Sequence, residues 1–411
     1  MNGRRHHDVT IVGAGAVGAT LALALARQQC RVLLLDARPG PAAFPGADYA
    51  DFAVSLNRAS SAILARLGVW ERIAGQRVSP YGAMELWDAT GSGRIRFDSA
   101  DIGEPMLGHF VEPALVEAAL HEALAASPQV ELRWSSRPAA IERERDRVRL
   151  DLEDGSDVHS ALLVGADGGR SRLRELAGIE VREYDYGQQA LVCHFATELS
   201  HGAVARQRFQ PGGPVAMLPL ADGRCHLAWF RPPQEAEELL ALDDAAFAQA
   251  LSRATDYALG AVTEVTPRRG FPVARRHAVQ YVDRRLALIG DAAHTIHPLA
   301  GQGLNLGLLD AAALAHALGA RGDVGAWSRL RRYARWRRAH NTAVMSAMDL
   351  FHFGFAHGGA LRATARNLGL RLADRSGIAK RMVTRHGCGL AGDLPPLARP
   401  PAVGTGDGDP L

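Results

Sequence analysis

Gly13, Gly15 and Gly18 form a Gly-x-Gly-x-x-Gly run, with Ala14, Ala16 and Val17 between them. Glycine at the first position permits a tight turn. At the second it lets backbone approach a pyrophosphate, and at the third it lets helix and strand pack closely. Asp36 closes the next apolar run. A carboxylate there can accept hydrogen bonds from a ribose diol, and its charge opposes a 2′-phosphate. These residues work only if the right elements carry them. A buried strand over residues 9–12 must lead into the glycines. An Ala- and Leu-rich helix to about Gln29 must follow, with its free N–H groups and positive dipole end toward the phosphates. A second strand over residues 31–35 must end at Asp36. The complete βαβ unit points to dinucleotide binding, with a merely structural glycine turn as the alternative, but it does not choose FAD over NAD.

Two later runs repeat the theme. Leu162-Leu163-Val164 reads as a strand entering Gly165-Ala166-Asp167-Gly168-Gly169-Arg170-Ser171, which sets a carboxylate in a turn beside a helix start. Standing alone, that run is also what an ordinary capped turn looks like. A strand over residues 286–289 leads into Gly290-Asp291-Ala292-Ala293-His294-Thr295-Ile296-His297-Pro298-Leu299-Ala300-Gly301-Gln302-Gly303-Leu304-Asn305, and the run continues to Asp310. Gly301 and Gly303 mark backbone that passes close to something flat. Asn305 is expected to cap the helix that follows, whose N-terminus can face an electron-rich ring edge. His294 and His297 do not make a metal site. No third histidine or carboxylate cluster accompanies them, and Pro298 breaks the helix that an i, i+3 pair needs. They stay as candidates for hydrogen bonds to a ring system or substrate, or as structural histidines. No Gly-x-Ser-x-Gly elbow is present, and Cys30, Cys193, Cys225 and Cys388 form no Cys-x-x-Cys pair.

In this order and spacing the three motifs resemble those of the group A flavoprotein monooxygenases. The run 290–310 is similar, nearly residue for residue, to the ubiquinone-biosynthesis flavin hydroxylase family. Leu67-Gly68-Val69-Trp70, Tyr186-Gly187-Gln188-Gln189-Ala190, the run 208–220 and Gly389-Leu390-Ala391-Gly392-Asp393-Leu394-Pro395 extend the likeness over nearly the whole chain. The resemblance implies FAD as cofactor, with Gly13, Gly15, Ala16, Val17 and Gly18 at the pyrophosphate and Asp36 on the adenosine ribose. It places Asp167 in a motif closing over the pyrophosphate and linked to NAD(P)H use. Gly290 and Asp291 fall at the ribityl or pyrophosphate region, and Pro298, Gly301, Gln302, Gly303, Leu304 and Asn305 along the isoalloxazine ring. It implies NAD(P)H as electron donor and O2 as co-substrate. The reaction is hydroxylation of an aromatic ring through a flavin C4a-hydroperoxide, on a polyprenyl phenol or quinol of ubiquinone biosynthesis. The same chemistry on another aromatic metabolite, a non-oxygenating flavin reductase and a non-catalytic member of a quinone-making assembly stay open. A flavin halogenase does not fit, because Trp-x-Trp-x-Ile-Pro is absent. Two departures concern the ring environment. Phe52 stands where the family commonly has Arg, with Arg58 a candidate replacement, and Pro113 stands where it often has Asn.

The expected fold is mixed α/β. A Rossmann-type FAD-binding domain (1–80, 111–183 and 281–350) is interleaved with an antiparallel-sheet substrate domain (81–110 and 184–280). A C-terminal helical region and tail (351–411) follow, loose after Pro395. Alternation over 215–220 and 226–230 suits an apolar pocket wall or plain core packing. A hydrophobic content of 47% with 22% charged residues over 411 residues excludes a disordered chain, a collagen repeat and a coiled coil. The net charge of +3 rests almost wholly on arginine, Lys380 being the sole lysine, so it marks compositional bias rather than a nucleic-acid partner. The densest basic run, Arg329, Arg331, Arg332, Arg335, Arg337 and Arg338, falls on an expected helix with Trp327, Tyr333 and Trp336. It reads first as a solvated face and second as an anionic-lipid or partner-protein contact. No apolar run reaches the ~20 residues of a membrane span. Arg4 and Arg5 precede a strand, not a signal-peptide core. The expected location is cytoplasmic, with peripheral inner-membrane contact and a quinone-biosynthesis complex as open partners beside a small aromatic substrate.

Overall fold

The computed structural model describes residues 7–46, 48–50, 52–298, 301–356 and 360–399. Arg4, Arg5, Leu299, Ala300 and the tail from Pro400 lie outside the described residues.

The apolar, β-branched run that begins the chain forms the strand His7–Val12, at the centre of a parallel sheet. Asp157–Gly165 pairs with it on one side and Val32–Leu35 on the other, both in parallel. Leu286–Leu288 and Val130–Arg133 extend this parallel core outward. Val9, Ile11, Leu33, Leu162 and Leu163 are fully buried, as strands covered on both faces require. The helix Ala16–Arg27 packs between Pro113–Ala125 and Gly303–Leu318. Parallel strands end together, so Gly13, Asp36, Gly165 and Ile289 gather along one edge of the sheet.

A second sheet is antiparallel except where Ala83–Asp88 runs beside Val204–Phe209. Its order is His294–Thr295, Arg269–Ala278, Val181–Thr197, Cys225–Arg231, Val215–Pro219, Val204–Phe209, Ala83–Asp88, Arg94–Asp98. One face of this sheet is filled by Leu191, Cys193, Phe195, Leu227 and Trp229 against Phe247 and Leu251. Those two belong to the helix Asp244–Ala254. A third, small sheet joins Val54–Asn57, Gly108–Val111 and Ser79–Tyr81. The segment after Leu288 links the two large sheets: His294–Thr295 pairs with His277 and Arg276 before the chain enters the helix Gly303–Leu318.

Two expectations need correction. The Arg-rich run does lie on a helix, Trp327–Ala356, and Arg331, Arg332, Arg335 and Arg338 are exposed. Arg337, however, is 1% exposed, one of the largest fully buried side chains. The helix turns it inward, where a carboxylate waits for it. The chain after Pro395 is not loose at once either. Pro396–Ala398 forms a 3₁₀ turn with Ala398 wholly buried, and Arg66 donates to the Arg399 carbonyl at 3.0 Å.

Candidate functional site

The glycines divide by what surrounds them. Gly13 has φ +105°, and a Cβ there would lie 2.3 Å from the Ala166 carbonyl oxygen. A Cβ on Gly18 would lie 1.9 Å from the Gly13 oxygen and 3.1 Å from Ala166 Cβ. The first and second motifs thus cross backbone to backbone. Val17 is wedged against the third: a Cβ on Gly307 would come within 2.6 Å of its Cγ2, and one on Gly290, at φ +58°, within 3.2 Å of its Cγ1. Gly15 differs. Its φ of −63° suits any residue, and the nearest atom to a Cβ there is Glu117 Oε1 at 3.6 Å. Packing does not demand glycine at this position. The helix it opens has no side-chain cap and no acid in its first turn, so no side chain of its own first turn satisfies its free N–H groups.

The acids that line this edge behave in three ways. Asp36 is held by the protein. Ala14 N–H donates to its Oδ2 at 2.7 Å, Arg38 N–H to its Oδ1 at 2.8 Å, and the Arg38 guanidinium grips both oxygens at 3.0 and 3.1 Å. Burial alone would raise the Asp36 carboxyl, but these donors outweigh it and hold it below the usual range. Arg38 also reaches Glu117 at 2.7 Å. Asp167 is occupied as well: the Ser171 hydroxyl donates to it at 2.5 Å and Leu173 N–H at 3.0 Å, while burial pushes its carboxyl up. Ser171 in turn caps the helix Arg172–Leu176. Asp291 is open to solvent and makes no side-chain hydrogen bond among the described residues. Surrounding protein still raises its carboxyl, with His294 and Arg276 pulling the other way. An unpaired acid beside two glycine turns is what a cofactor hydroxyl would satisfy.

Asn305 does not cap its helix. It is the third residue of Gly303–Leu318, where Gln302 is the N-cap. Its Oδ1 accepts from Asn57 N–H at 3.0 Å and the Ser60 hydroxyl at 2.6 Å, and its Nδ2 donates to the Ser55 carbonyl at 2.8 Å. The side chain therefore fastens the third motif to Val54–Asn57 and leaves the helix start uncapped. A Cβ on Gly303 would meet nothing within 4 Å, whereas one on Gly301, at φ +59°, would lie 3.2 Å from Ser55 Cβ. Gly303 thus opens a helix with no acid in its first turn and stands beside open space.

The two histidines separate. His294 is buried under the third motif, its Nε2 2.5 Å from Asp310 Oδ2, with its Nδ1 unpartnered among the described residues. Asp310 Oδ2 also accepts from Gly290 N–H at 3.1 Å, and its Oδ1 from Arg337 at 2.7 Å and Asn341 at 3.1 Å. Burial would raise the Asp310 carboxyl, but His294 and Arg337 hold it far below the usual range. His297 instead meets the second sheet. It lies 3.3 Å from Gln188 Oε1, with its ring 4.6 Å from Tyr186 and 5.0 Å from Phe230. Among the described residues no group of three or more His, Cys, Asp or Glu could hold a metal.

The departures also find places. Phe52 lays its ring 5.3 Å from Phe271 on the second sheet, so an aromatic wall stands there rather than a cation. Arg58 opens the helix Arg58–Arg66 and directs its guanidinium to Glu104 at 3.2 Å, not to any of the three motifs. Pro113 is the first residue of Pro113–Ala125, the helix position where proline gives up no hydrogen bond. The sequence reading assigned no role to Asn341, Ser55 or His121. His121 accepts from Ala42 N–H at 2.9 Å and donates to the Ala14 carbonyl at 2.6 Å, clamping the loop after Asp36 onto the first motif.

A family model described as "FAD binding domain" matches residues 6–348. The chain is 38% identical over 388 residues to the 3-demethoxyubiquinol 3-hydroxylase of Escherichia coli K12, covering 93% of this chain and 98% of the relative. It is 37% identical over 386 residues to the ubiquinone hydroxylase UbiL of Rhodospirillum rubrum, covering 93% and 89%. The solved structure of PqsL from P. aeruginosa, in complex with 2-aminobenzoylacetate, superposes with a TM-score of 0.75 at 25% identity, covering 89% of this chain and all of that one.

Proposed function

Because this chain belongs to the FAD binding domain family, we propose that it is an FAD-dependent monooxygenase. Its substrate in this reading is the aromatic ring of a polyprenyl phenol or quinol of ubiquinone biosynthesis, and its relatives among the ubiquinone hydroxylases support that choice. One observation carries it furthest. Gly13 and Gly18 are locked by protein, while a side chain on Gly15 between them would meet only Glu117 Oε1, at 3.6 Å, at an uncapped helix start. That space suits a pyrophosphate.

The residues divide the work. Gly15 and the N–H groups of the helix Ala16–Arg27 would hold the pyrophosphate. Asp36, fixed by Ala14 and Arg38, would meet the adenosine ribose, and the free carboxylate of Asp291 the ribityl chain. The uncapped N–H groups of Gly303 and Leu304 would face the electron-rich edge of the flavin ring. Bound FAD supplies oxygen activation, which no side chain here can provide, with NAD(P)H as donor and O2 as co-substrate. The protein orients the ring and keeps water away from it. In the same reading 1–80, 111–183 and 281–350 form the cofactor unit, and 81–110 and 184–280 the substrate unit. The purified protein is expected to carry flavin absorbance, and a phenol should speed NAD(P)H oxidation and emerge hydroxylated. A protein that takes up no flavin on reconstitution would end this reading. Flavin with NAD(P)H oxidation but no oxygenated product would turn it into a reductase.

A prenylated substrate also calls for a route from a bilayer. No helix among the described residues is long and apolar enough to cross a membrane. The helices Ala360–Arg375 and Gly377–Gly387, however, expose Leu368, Leu372, Ile378, Met382 and Val383 beside Arg375, Arg381 and Arg385. That mixture suits peripheral contact with an anionic membrane. It lies C-terminal to the arginine run from which the sequence suggested such contact. The double variant Ile378→Glu/Met382→Glu should lower binding to anionic vesicles by ~10-fold or more, as read by co-sedimentation. Unchanged binding would remove this face from the proposal.

A further inference from the structure

The second sheet has a face that its own core fills only in part: Ala190, Phe230 and Val273 pack together there, with Ala228 and Phe271 against them. Along Val181–Thr197 and Cys225–Arg231 the odd-numbered residues Leu191, Cys193, Leu227 and Trp229 pack against the helix Asp244–Ala254. Alternation sends Ala190, Val192, His194, His226, Ala228 and Phe230 to the opposite face. The register there sets three rows across the strands. His194, His226 and Leu218 form one. Val192, Ala228 and Ala216 form the next, and Ala190 pairs with Phe230 in the third. The middle row has shorter side chains than His194, His226 and Leu218 on one side and Phe230 on the other. Side chains this short leave the row recessed as a hollow between its larger neighbours, with Val192 and Ala216 buried at its ends and Ala228, on an interior strand, half-buried.

The surroundings of this hollow belong to the site already described. Phe230 carries His297 of the third motif at 5.0 Å. Leu218 packs with Tyr81, whose hydroxyl lies 3.1 Å from Ser55 Oγ. Ser55 in turn sits against Gly301. Tyr49 covers the far end, its ring 5.5 Å from His194.

One polar atom at the hollow is unspent. His194 donates from Nε2 to the Ala50 carbonyl at 2.7 Å, so its Nδ1 carries a lone pair. His226 Nδ1 lies 3.4 Å from that nitrogen and donates to it. This network assigns the proton of His226 to Nδ1 and leaves its Nε2 a bare acceptor. Nε2 has no hydrogen-bond partner among the described residues, in a side chain that is only 2% exposed. Burial keeps both rings neutral, with His226 pushed down to about 3 and His194 also lowered. A neutral imidazole nitrogen with its other proton committed is suited to accept from an O–H group and unsuited to pair with a carboxylate.

We propose that the hollow over Val192, Ala228 and Ala216 seats the substrate's aromatic ring and that His226 Nε2 accepts the hydrogen bond of a ring hydroxyl. The proposal rests on the phenol reading above and names how that phenol is distinguished from its ethers. An O–H donates to Nε2, whereas an O-methyl group leaves the nitrogen unpaired.

The test uses oxidised, FAD-loaded protein and two probes: 2-methoxyphenol carrying a short isoprenyl chain, and the same compound with its hydroxyl methylated. Dissociation constants come from the change in the flavin spectrum, without turnover. The parent is expected to prefer the phenol by ~10-fold or more. His226→Leu should remove that preference by weakening the phenol alone, and His226→Gln should restore part of it. Ala228→Phe should weaken both probes while flavin content and melting temperature stay as in the parent. If the parent binds the phenol and His226→Leu keeps the same preference, the assignment of His226 is wrong. If Ala228→Phe binds both probes as the parent does, the hollow is not the ring's seat. A parent that binds neither probe would overturn the phenol reading, and this proposal with it.

Discussion

A Gly15→Val variant is expected to fold as the parent does and to purify without flavin. Gly18→Val is expected to lose both. The difference comes from what a side chain would meet. At Gly18 a Cβ would lie 1.9 Å from a backbone oxygen, which cannot swing aside as a flexible side chain could. The crossing of the first two motifs must open, at ~3 kcal/mol or more. At Gly15 the backbone conformation is one that valine adopts, and only Glu117 Oε1 is near, at 3.6 Å. The apoprotein should therefore melt within a degree or two of the parent apoprotein, with the same far-ultraviolet dichroism. The valine side chain then occupies the space assigned to the pyrophosphate, and FAD affinity should fall by ~100-fold or more, about 3 kcal/mol. Flavin-to-protein ratio and a fluorescence titration read this directly. A Gly15→Val apoprotein as unstable as Gly18→Val would make Gly15 a packing glycine. Full flavin occupancy in that variant would mean that no ligand approaches there.

The parts legible in the sequence were those whose physics is local. A glycine run between a strand and a helix, with an acid at the tip of the next strand, fits within thirty residues. The structure places Gly13 and Asp36 at one sheet edge, with Gly18 packed against Gly13. Alternation over residues 215–220 and 226–230 was legible as a pattern. Whether it made a pocket wall or core was not, because that depends on which face the helix Asp244–Ala254 covers. Val215, Met217, Leu227 and Trp229 are core, while Ala216, Leu218, His226 and Ala228 lie on the opposite face, where the ring seat is proposed. Asn305 was read as a cap because caps are local, yet its partners Ser55, Asn57 and Ser60 lie some 250 residues earlier in the chain. Arg337 misled for the same reason. Six arginines within ten residues look like a solvated stripe until the fold supplies a carboxylate to one of them.

That carboxylate sets the second large effect. Asp310→Asn should destabilise the protein by ~3–5 kcal/mol, because it strands the buried Arg337 cation with only neutral partners, Asn341 Oδ1 at 2.8 Å and the Leu306 carbonyl at 3.4 Å. Arg337→Met should cost less, since Asp310 keeps His294, Asn341 and Gly290 N–H. Combining Asp310→Leu with Arg337→Met removes both charges and should recover part of the loss seen in Asp310→Asn. Equilibrium or thermal unfolding of the apoproteins measures all three. The pH dependence has a definite sign. The folded protein holds the Asp310 carboxyl below its unfolded value of ~3.9, so its contribution is complete above that value and is lost as pH falls toward the folded one. The gap between parent and Asp310→Asn should therefore stay constant from neutral pH down to about 5 and narrow only below about 4. A gap that instead closed between pH 6 and 7 would overturn the assignment of the coupling to the Asp310 carboxyl. Because Gly290 N–H donates to the same carboxylate, Asp310→Asn should also loosen the turn that presents Asp291, and FAD should bind more weakly even where the variant is fully folded.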